Sequence, residues 1–395
     1  MVRKKIEDLG KVISGGTPST KNERYWGGDI AWITPKDLSK HNSMFIFKGE
    51  RGITEEGLKN SSAYTVPTGT VLFSSRAPIG YVAIAGKNLT TNQGFKNIVV
   101  NDENDNLFIY YLLKNNIKFI ESHANGSTFK EISAKVFKNL EFDVPNLDTQ
   151  RKISKILSTL DSKIELNNQI ISNLEELAST LFKRWFVDFE FPDENGNPYK
   201  SSGGKMVDSE LGEIPEGWKV TTINNVYDIK YGKQMPISEL HDTGYPVHGA
   251  NGSIIGYTDS YMYNKEVALV TCRGNGSGDV FRSLRNSFVT NNLLIFEPLD
   301  GTYNVDYTRF LLINNNTYNY QTGSAQPQIT IKNISKMKII VPNIDTLKLF
   351  NNKIESIMNQ QILMSENNSV LTSIRDSLLP KLLSGEIELP EDEEV

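Results

Sequence analysis

Two stretches of the chain carry apolar residues at alternating steps of three and four. The first runs Leu157, Leu160, Ile164, Ile171, Leu174, Ala178, Leu181 and Trp185, with Asn167 as its one break. The second runs Ile354, Ile357, Gln361, Met364, Asn368, Leu371, Arg375, Leu378 and Leu382. This is a heptad seam with polar intruders, and it predicts two helices of about 35 residues, about 50 Å each if straight. Such lengths favour a coiled coil over ordinary globular helices. Pro145 and Pro342 precede the two starts, and Thr149 and Thr346 are the expected caps. The rest of the chain has a shorter rhythm. Ala31-Trp32-Ile33, Thr70-Val71-Leu72-Phe73, Tyr81-Val82-Ala83-Ile84 and Asn97-Ile98-Val99-Val100 read as strands, as do 266–271 and 293–296. Gly, Asn, Ser and Pro punctuate them as turns. Short helices are expected near 106–117 and 305–313. The class is α+β, with β-rich mixed domains attached to long helices.

The pattern repeats. At a shift of 197 residues, Val144-Pro145-Asn146-Leu147-Asp148-Thr149 falls on Val341-Pro342-Asn343-Ile344-Asp345-Thr346. At the same shift Gly126-Ser127 falls on Gly323-Ser324, Ile132 on Ile329, Tyr110 on Tyr307, Leu72 on Leu269 and Arg76 on Arg273. Before residue 70 the shift is 217, so the first copy holds about twenty extra residues between Gly16 and Thr70. A period this long marks a duplicated module rather than a solenoid. The expected organisation is a first domain at 1–145, a first coiled-coil helix at 146–187, a linker at 188–212, a second domain at 213–342, a second helix at 343–385 and an acidic tail at 386–395. Two helices that bracket the second domain can fold back as an antiparallel pair, with one domain at each end about a pseudo-twofold axis.

Composition narrows the function. The 395 residues are 38% hydrophobic and 10% aromatic, enough to build cores. No apolar run reaches the ~20 residues of a membrane span, and the first ten residues lack the apolar segment of a signal peptide. A soluble, cytoplasmic chain is expected. A single cysteine, Cys272, excludes an internal disulfide and a cysteine zinc cage, and His41, His123, His241 and His248 are scattered, so no metal site is expected. The net charge of −5 looks wrong for a nucleic-acid binder. Six of the acids sit in the last ten residues, however, whereas residues 1–145 hold 19 basic and 15 acidic side chains. Local clusters therefore decide. No phosphate loop of the Gly-x-x-x-x-Gly-Lys-Ser/Thr kind occurs, and Gly274-Asn275-Gly276-Ser277-Gly278 reads as a hairpin loop. No catalytic set is suggested by spacing.

Four groups of loops carry side chains suited to DNA, since Arg can grip guanine and Asn or Gln adenine, with Lys, Ser and Thr on phosphates. The first holds Thr17, Ser19, Lys21 and Tyr25, with Lys36 nearby and Lys233 in the second copy. The second holds Ser75 and Arg76, matched by Arg273 and followed by Asn275. The third holds Thr91, Asn92 and Gln93, matched by Asn291 and Asn292. The fourth holds Thr128 and Lys130, matched by Gln326 and Gln328. On residues alone two other readings stand: an enzyme with an unfamiliar site, and an adaptor whose paired domains bind protein or sugar.

The whole pattern resembles the specificity subunit of type I restriction-modification systems. The residues that carry this are Gly15-Gly16-Thr17-Pro18 with Tyr25-Trp26, Ile33-Thr34-Pro35-Lys36-Asp37-Leu38, and the block from Pro67 to Gly80. Leu181-Phe182-Lys183-Arg184-Trp185-Phe186, Gly212-Glu213-Ile214-Pro215-Glu216-Gly217-Trp218 and the closing Leu379 to Ile387 belong to it too. The first copy lacks the Ile-Pro-Glu-Gly-Trp opening, and Leu347-Lys348 stands where the first copy has Gln150-Arg151. The resemblance implies a subunit without catalysis of its own and with no cofactor. Each domain reads one half of a bipartite double-stranded DNA target. The helices set the spacing, about 50 Å against a DNA turn of about 34–36 Å. They also dock two methyltransferase subunits, which bind S-adenosylmethionine. Restriction and translocase subunits using ATP and Mg join through those.

Overall fold

In the computed structural model, which describes residues 1–126, 130–323, 326–387 and 389, the chain forms two compact units. One comprises Met1–Ile170 and the segment from Met364 onward; the other is Ile171–Leu363. The two long helices, Leu147–Phe186 and Ile344–Ser384, each contribute to both units.

The first unit is built on a five-stranded sheet in the order Gly10–Ser14, Phe95–Val100, Val71–Ser75, Ile79–Ala85, Phe45–Ile46. Both faces are covered, and the strands show it by alternation. Val71, Phe73, Ile84 and Ile98 face a core with helix Asn106–Asn115, whose first turn is capped by Asp105. Leu72, Ala83, Ala85 and Phe95 face the other way. There they meet Ala31 and Ile33 of a three-stranded sheet, Arg51–Ile53, Trp26–Ile33 and Thr90–Thr91. Val2–Lys5 pairs antiparallel with Glu141–Val144, so the first and last strands of the domain are neighbours. Ile153 and Leu157 of the first long helix, and Leu379, Leu382 and Leu383 of the second, complete the core.

The second unit repeats the plan. Its sheet runs Tyr227–Tyr231, Leu293–Pro298, Ala268–Thr271, Val280–Arg282, backed by helix Val305–Asn314. Ala268, Val270, Leu294 and Phe296 face one core; Leu269, Leu293 and Ile295 face the other. Strand Tyr245–His248 runs parallel to Phe288–Val289, as Trp26–Ile33 does to Thr90–Thr91. Lys219–Thr222 closes on Lys338–Val341. Phe182, Trp185 and Phe186 of the first long helix, with Leu347, Phe350, Ile354 and Met358 of the second, fill the core.

Three expectations need correction. The long helices are not capped by Thr149 and Thr346. Asn146 Oδ1 accepts from the Thr149 amide at 2.9 Å, and Asn343 Oδ1 accepts from the Thr346 amide at 2.8 Å, so the cap of each helix is the asparagine three residues before the threonine. The stretch 188–212 is not a bare linker. Phe189 and Phe191 are buried, and Phe191 stacks on Trp218 at 5.0 Å and on Tyr199 at 4.6 Å. Strands Met206–Ser209 and Gly212–Pro215 form a hairpin in the same stretch. Turn-forming composition hid these aromatic anchors. Finally, the helices Asn106–Asn115 and Val305–Asn314, counted from their caps Asp105 and Asn304, place Tyr307 on Phe108 rather than on Tyr110.

The polar intruders of the seam pair with one another. In the first unit Asn167 Nδ2 donates to Asn368 Oδ1 at 2.9 Å, and Asn368 donates to Asn168 at 2.8 Å. Arg375 meets Asp161 at 2.6 Å. As one number rises the other falls, so the helix segments run antiparallel. In the second unit Gln361 donates to Glu175 at 3.3 Å and to the Ile171 carbonyl. Paired polar groups at seam positions fix register. Leu157, Trp185, Ile354 and Leu382 are buried. Leu160, Ile164, Leu371 and Leu378 in the first unit, and Ile171, Leu174, Leu181 and Ile357 in the second, are half-buried.

Candidate nucleic-acid interface

In the first domain the candidate loops converge at one end of the sheets. Gly15 is held there by close approach: a Cβ would run into the carbonyl oxygens of Thr91 and Asn92. The Gly16 amide donates to the Thr91 carbonyl at 2.9 Å. Two indoles hold the loop from the other side. Trp32 donates to the Gly16 carbonyl at 2.9 Å and Trp26 to the Ser19 carbonyl at 3.2 Å. Arg51 lies 3.6 Å over the Trp26 ring. The Thr17 hydroxyl donates to Gln93 Oε1. Asn92 Oδ1 accepts from the Gly94 amide at 2.9 Å.

The second loop joins the same cluster. Ser75 donates twice to the Gly94 carbonyl, from its amide at 2.7 Å and its hydroxyl at 3.0 Å. The next residue, Arg76, places Nη1 3.5 Å from Glu131 Oε2. Glu131 Oε1 lies 3.9 Å from Lys96 Nζ, which donates to Ser75 Oγ at 3.2 Å. Burial pulls the Lys96 ammonium below the ordinary lysine value; Glu131 opposes this and Arg76 adds to it. Ser19, Lys21, Gln93 and Lys130 are exposed, and Thr17, Tyr25, Asn92 and Arg76 half-exposed. Lys36 is exposed too, paired with Glu50 at 2.9 Å on a short helix, Pro35–Leu38, that adjoins Gly94. Lys130 pairs with Glu121 at 3.2 Å. Thr128 lies outside the described residues.

Two of the expected contacts are corrected. Ser75 and Thr91 are both 0% exposed. Their hydroxyls are used inside the fold, Thr91 Oγ1 accepting from Asn97 Nδ2 at 2.8 Å. They shape the loops and do not face solvent. Lys96 and Glu131, conversely, were missed. A lysine inside a strand that is otherwise apolar but for Asn97 was the available signal.

The second domain builds the same frame with other side chains. A Cβ on Gly232 would meet the Thr290 carbonyl, as one on Gly15 would meet that of Asn92. Lys233 N donates to the Val289 carbonyl at 2.9 Å, as Gly16 does to Thr91. The Ile329 amide donates to the Cys272 carbonyl at 2.9 Å, and the Ile132 amide to that of Ser75 at 3.0 Å. Arg273 bridges Gln328 through backbone atoms, as Arg76 does Glu131. Lys233, Arg273, Asn275, Gln326 and Gln328 are exposed; Asn291 and Asn292 are half-exposed. The glycine-rich segment is a hairpin loop between strands Ala268–Thr271 and Val280–Arg282. Behind it, buried His248 Nε2 accepts from the Leu284 amide at 2.9 Å while Nδ1 faces the Gly252 carbonyl, and burial holds the ring below the usual histidine value. Among the described residues no group of three or more His, Cys, Asp or Glu is placed to hold a metal ion, and no helix is long and apolar enough to cross a membrane.

Two copies of one frame with different exposed side chains match a known design. The family model described as "Type I restriction modification DNA specificity domain" matches residues 1–176 and again 215–371. The chain belongs to the type I restriction-modification DNA specificity family. Its role is accordingly DNA-sequence recognition within a type I restriction-modification complex. Among curated members of this family, the MjaIX specificity subunit of Methanocaldococcus jannaschii is 34% identical, over 98% of this chain and 94% of its own length. The HindI specificity subunit of Haemophilus influenzae is 25% identical over 71% of this chain and 77% of its own. The fold resembles the crystal structure of a type I specificity subunit from M. genitalium, with a TM-score of 0.62 and 18% identity over 99% of this chain and 96% of that one.

Proposed function

We propose that each domain reads one half of a bipartite double-stranded DNA target through the loop cluster at its sheet end. Arg76 contacts the first half-site and Arg273 the second. The paired helices hold the two readers at a set spacing and dock two methyltransferase subunits, which carry S-adenosylmethionine. Restriction and translocase subunits, using ATP and Mg, join through them. This chain supplies recognition, and the chemistry is done by its partners. One observation carries the reading: two matching backbone frames present different exposed polar side chains, as two half-sites of unlike sequence require. With a net charge of −5, affinity comes mainly from the assembled complex rather than from this chain alone.

The test is to sequence methylated adenines in DNA from cells expressing this chain with its methyltransferase partner, against cells with the partner alone. A bipartite motif that appears only with this chain is expected. Arg76→Ala should relax one half of the motif and Arg273→Ala the other. No new motif, with both proteins present and associated, would overturn the reading in favour of an adaptor.

A further inference from the structure

The two recognition arginines stand in matching frames but have different supports. In the first sheet Phe73 pairs with Lys96; in the second, Val270 pairs with Leu294. An ammonium thus occupies a strand position that the other domain fills with leucine. The residue across from the arginine differs in step: Glu131 faces Arg76, and Gln328 faces Arg273. The Lys96 side chain is only 6% exposed, and burial disfavours its charge. A buried lysine needs partners, and its partners here are Ser75 Oγ and Glu131. Glu131 turns its second oxygen to Arg76 Nη1. The three side chains form a line running from the sheet interior out to the rim.

We propose that Lys96 and Glu131 are positioning residues for base recognition by Arg76, an inference that rests on the reading of Arg76 as a DNA contact given above. A planar guanidinium grips a guanine edge only when its fork is turned to the base. Glu131 holds one end of that fork, and the rest stays available to DNA. Lys96 anchors Glu131 and neutralises a carboxylate that would otherwise face phosphates. Among the described residues Arg273 has no such support, since Gln328 is uncharged and the Leu294 side chain cannot hydrogen-bond. The first half-site is therefore read by a pre-aimed arginine and the second by a freely turning one.

The test uses the full chain bound to its methyltransferase subunit. Methylation rates are measured on duplexes carrying the target, and on duplexes with each single-base replacement in either half-site. The proteins compared are the wild type, Glu131→Gln, Lys96→Met and Arg76→Ala, and the melting temperature of each is recorded. Glu131→Gln mimics the second domain at the surface, so it tests the idea even where Lys96→Met fails to fold. Both variants should lower discrimination about tenfold at one position of the first half-site, the position that Arg76→Ala affects. The second half-site should be read as before. Wild-type discrimination in Glu131→Gln, with discrimination lost in Arg76→Ala, would overturn the positioning role. Equal losses at both half-sites would overturn it too, as the mark of a general structural defect. An Arg76→Ala variant that reads both half-sites normally would instead remove the underlying reading of Arg76.

Discussion

The two domains share a backbone plan and differ in whether charge enters the sheet rim or the backing helix itself. In the first, the ionic line Lys96–Glu131–Arg76 sits at the rim, and helix Asn106–Asn115 buries Phe108 to Leu113 with no charged residue among them. In the second, the residue across from Arg273 is the uncharged Gln328, and a cluster of ions gathers around helix Val305–Asn314. Arg309 pairs with Glu175 at 2.5 Å, and Arg282 joins Asp306 at 3.0 Å and Glu266 at 3.3 Å. The duplicated frame thus tolerates charge at either layer, provided partners arrive with it. What the copies keep is the set of close backbone approaches, Gly15 on Asn92 and Gly232 on Thr290, because these shape the loops whatever the loops display.

That comparison can be broken at its supports first. Trp185 is 4% exposed in the second core, so Trp185→Ala should cost about 3–5 kcal/mol, read from denaturant unfolding. A loss under 1 kcal/mol would break its placement. Arg309→Met should cost about 3 kcal/mol, because it leaves the half-buried Glu175 without its cation, while Asp306 keeps Arg282. Burial alone would raise Glu175, but Arg309 brings it below the ordinary carboxylate value of 4.5. Its contribution is present above that value and lost as the pH falls through the lower folded value. Glu175 should therefore favour weakening of the second unit in acid, against buried Asp306, which is shifted upward, and Arg309→Met should remove the Glu175 part. An unchanged acid limb would place the sensitivity elsewhere.

Smaller effects sharpen the comparison. Asn368→Leu strands the buried Asn167 amide, and chemical denaturation should show a loss of about 1–3 kcal/mol. Adding Asn167→Leu should restore most of it, at the expense of a defined register. Arg273→Ala should relax base preference at one position of the second half-site, by less than Arg76→Ala does at the first, if that arginine turns freely. An equal or larger loss there would erase the contrast with Arg76. The least effect concerns Lys96. Its lowered value means the unfolded chain binds more protons, so stability should rise with pH approaching the ordinary 10.5. Lys96→Met should lack that rise in a pH series of thermal melts.

Much of the fold was legible because its signals are periodic. The heptad steps from Leu157 to Trp185 and the 197-residue repeat revealed the helices and the duplication. The helix caps were misassigned by three residues because Asn146 and Asn343 stood unnoticed beside the prolines. Phe189 and Phe191 were lost among turn formers, because composition averages away two buried rings. At the rim, residue type alone placed Arg76, Gln93 and Arg273 with the loops, yet Ser75 and Thr91 turned inward. Whether a hydroxyl faces solvent depends on strand pairing, and Gly94 and Asn97 become neighbours of these two residues only after folding. Glu131 lies 55 residues from the arginine it faces.

The closing strand pairs have a consequence for how such proteins change. Val2 lies across from Val144 and Lys219 across from Val341, so each domain starts and finishes at a single point, next to the start of a long helix. A stretch of chain with neighbouring ends behaves as a cassette. It can be lifted out by two crossovers in the gene and replaced by another of the same plan, and the helix that follows meets the same strand pair. New specificity can then arrive as a whole reader, already folded, without one rim residue having to change on its own.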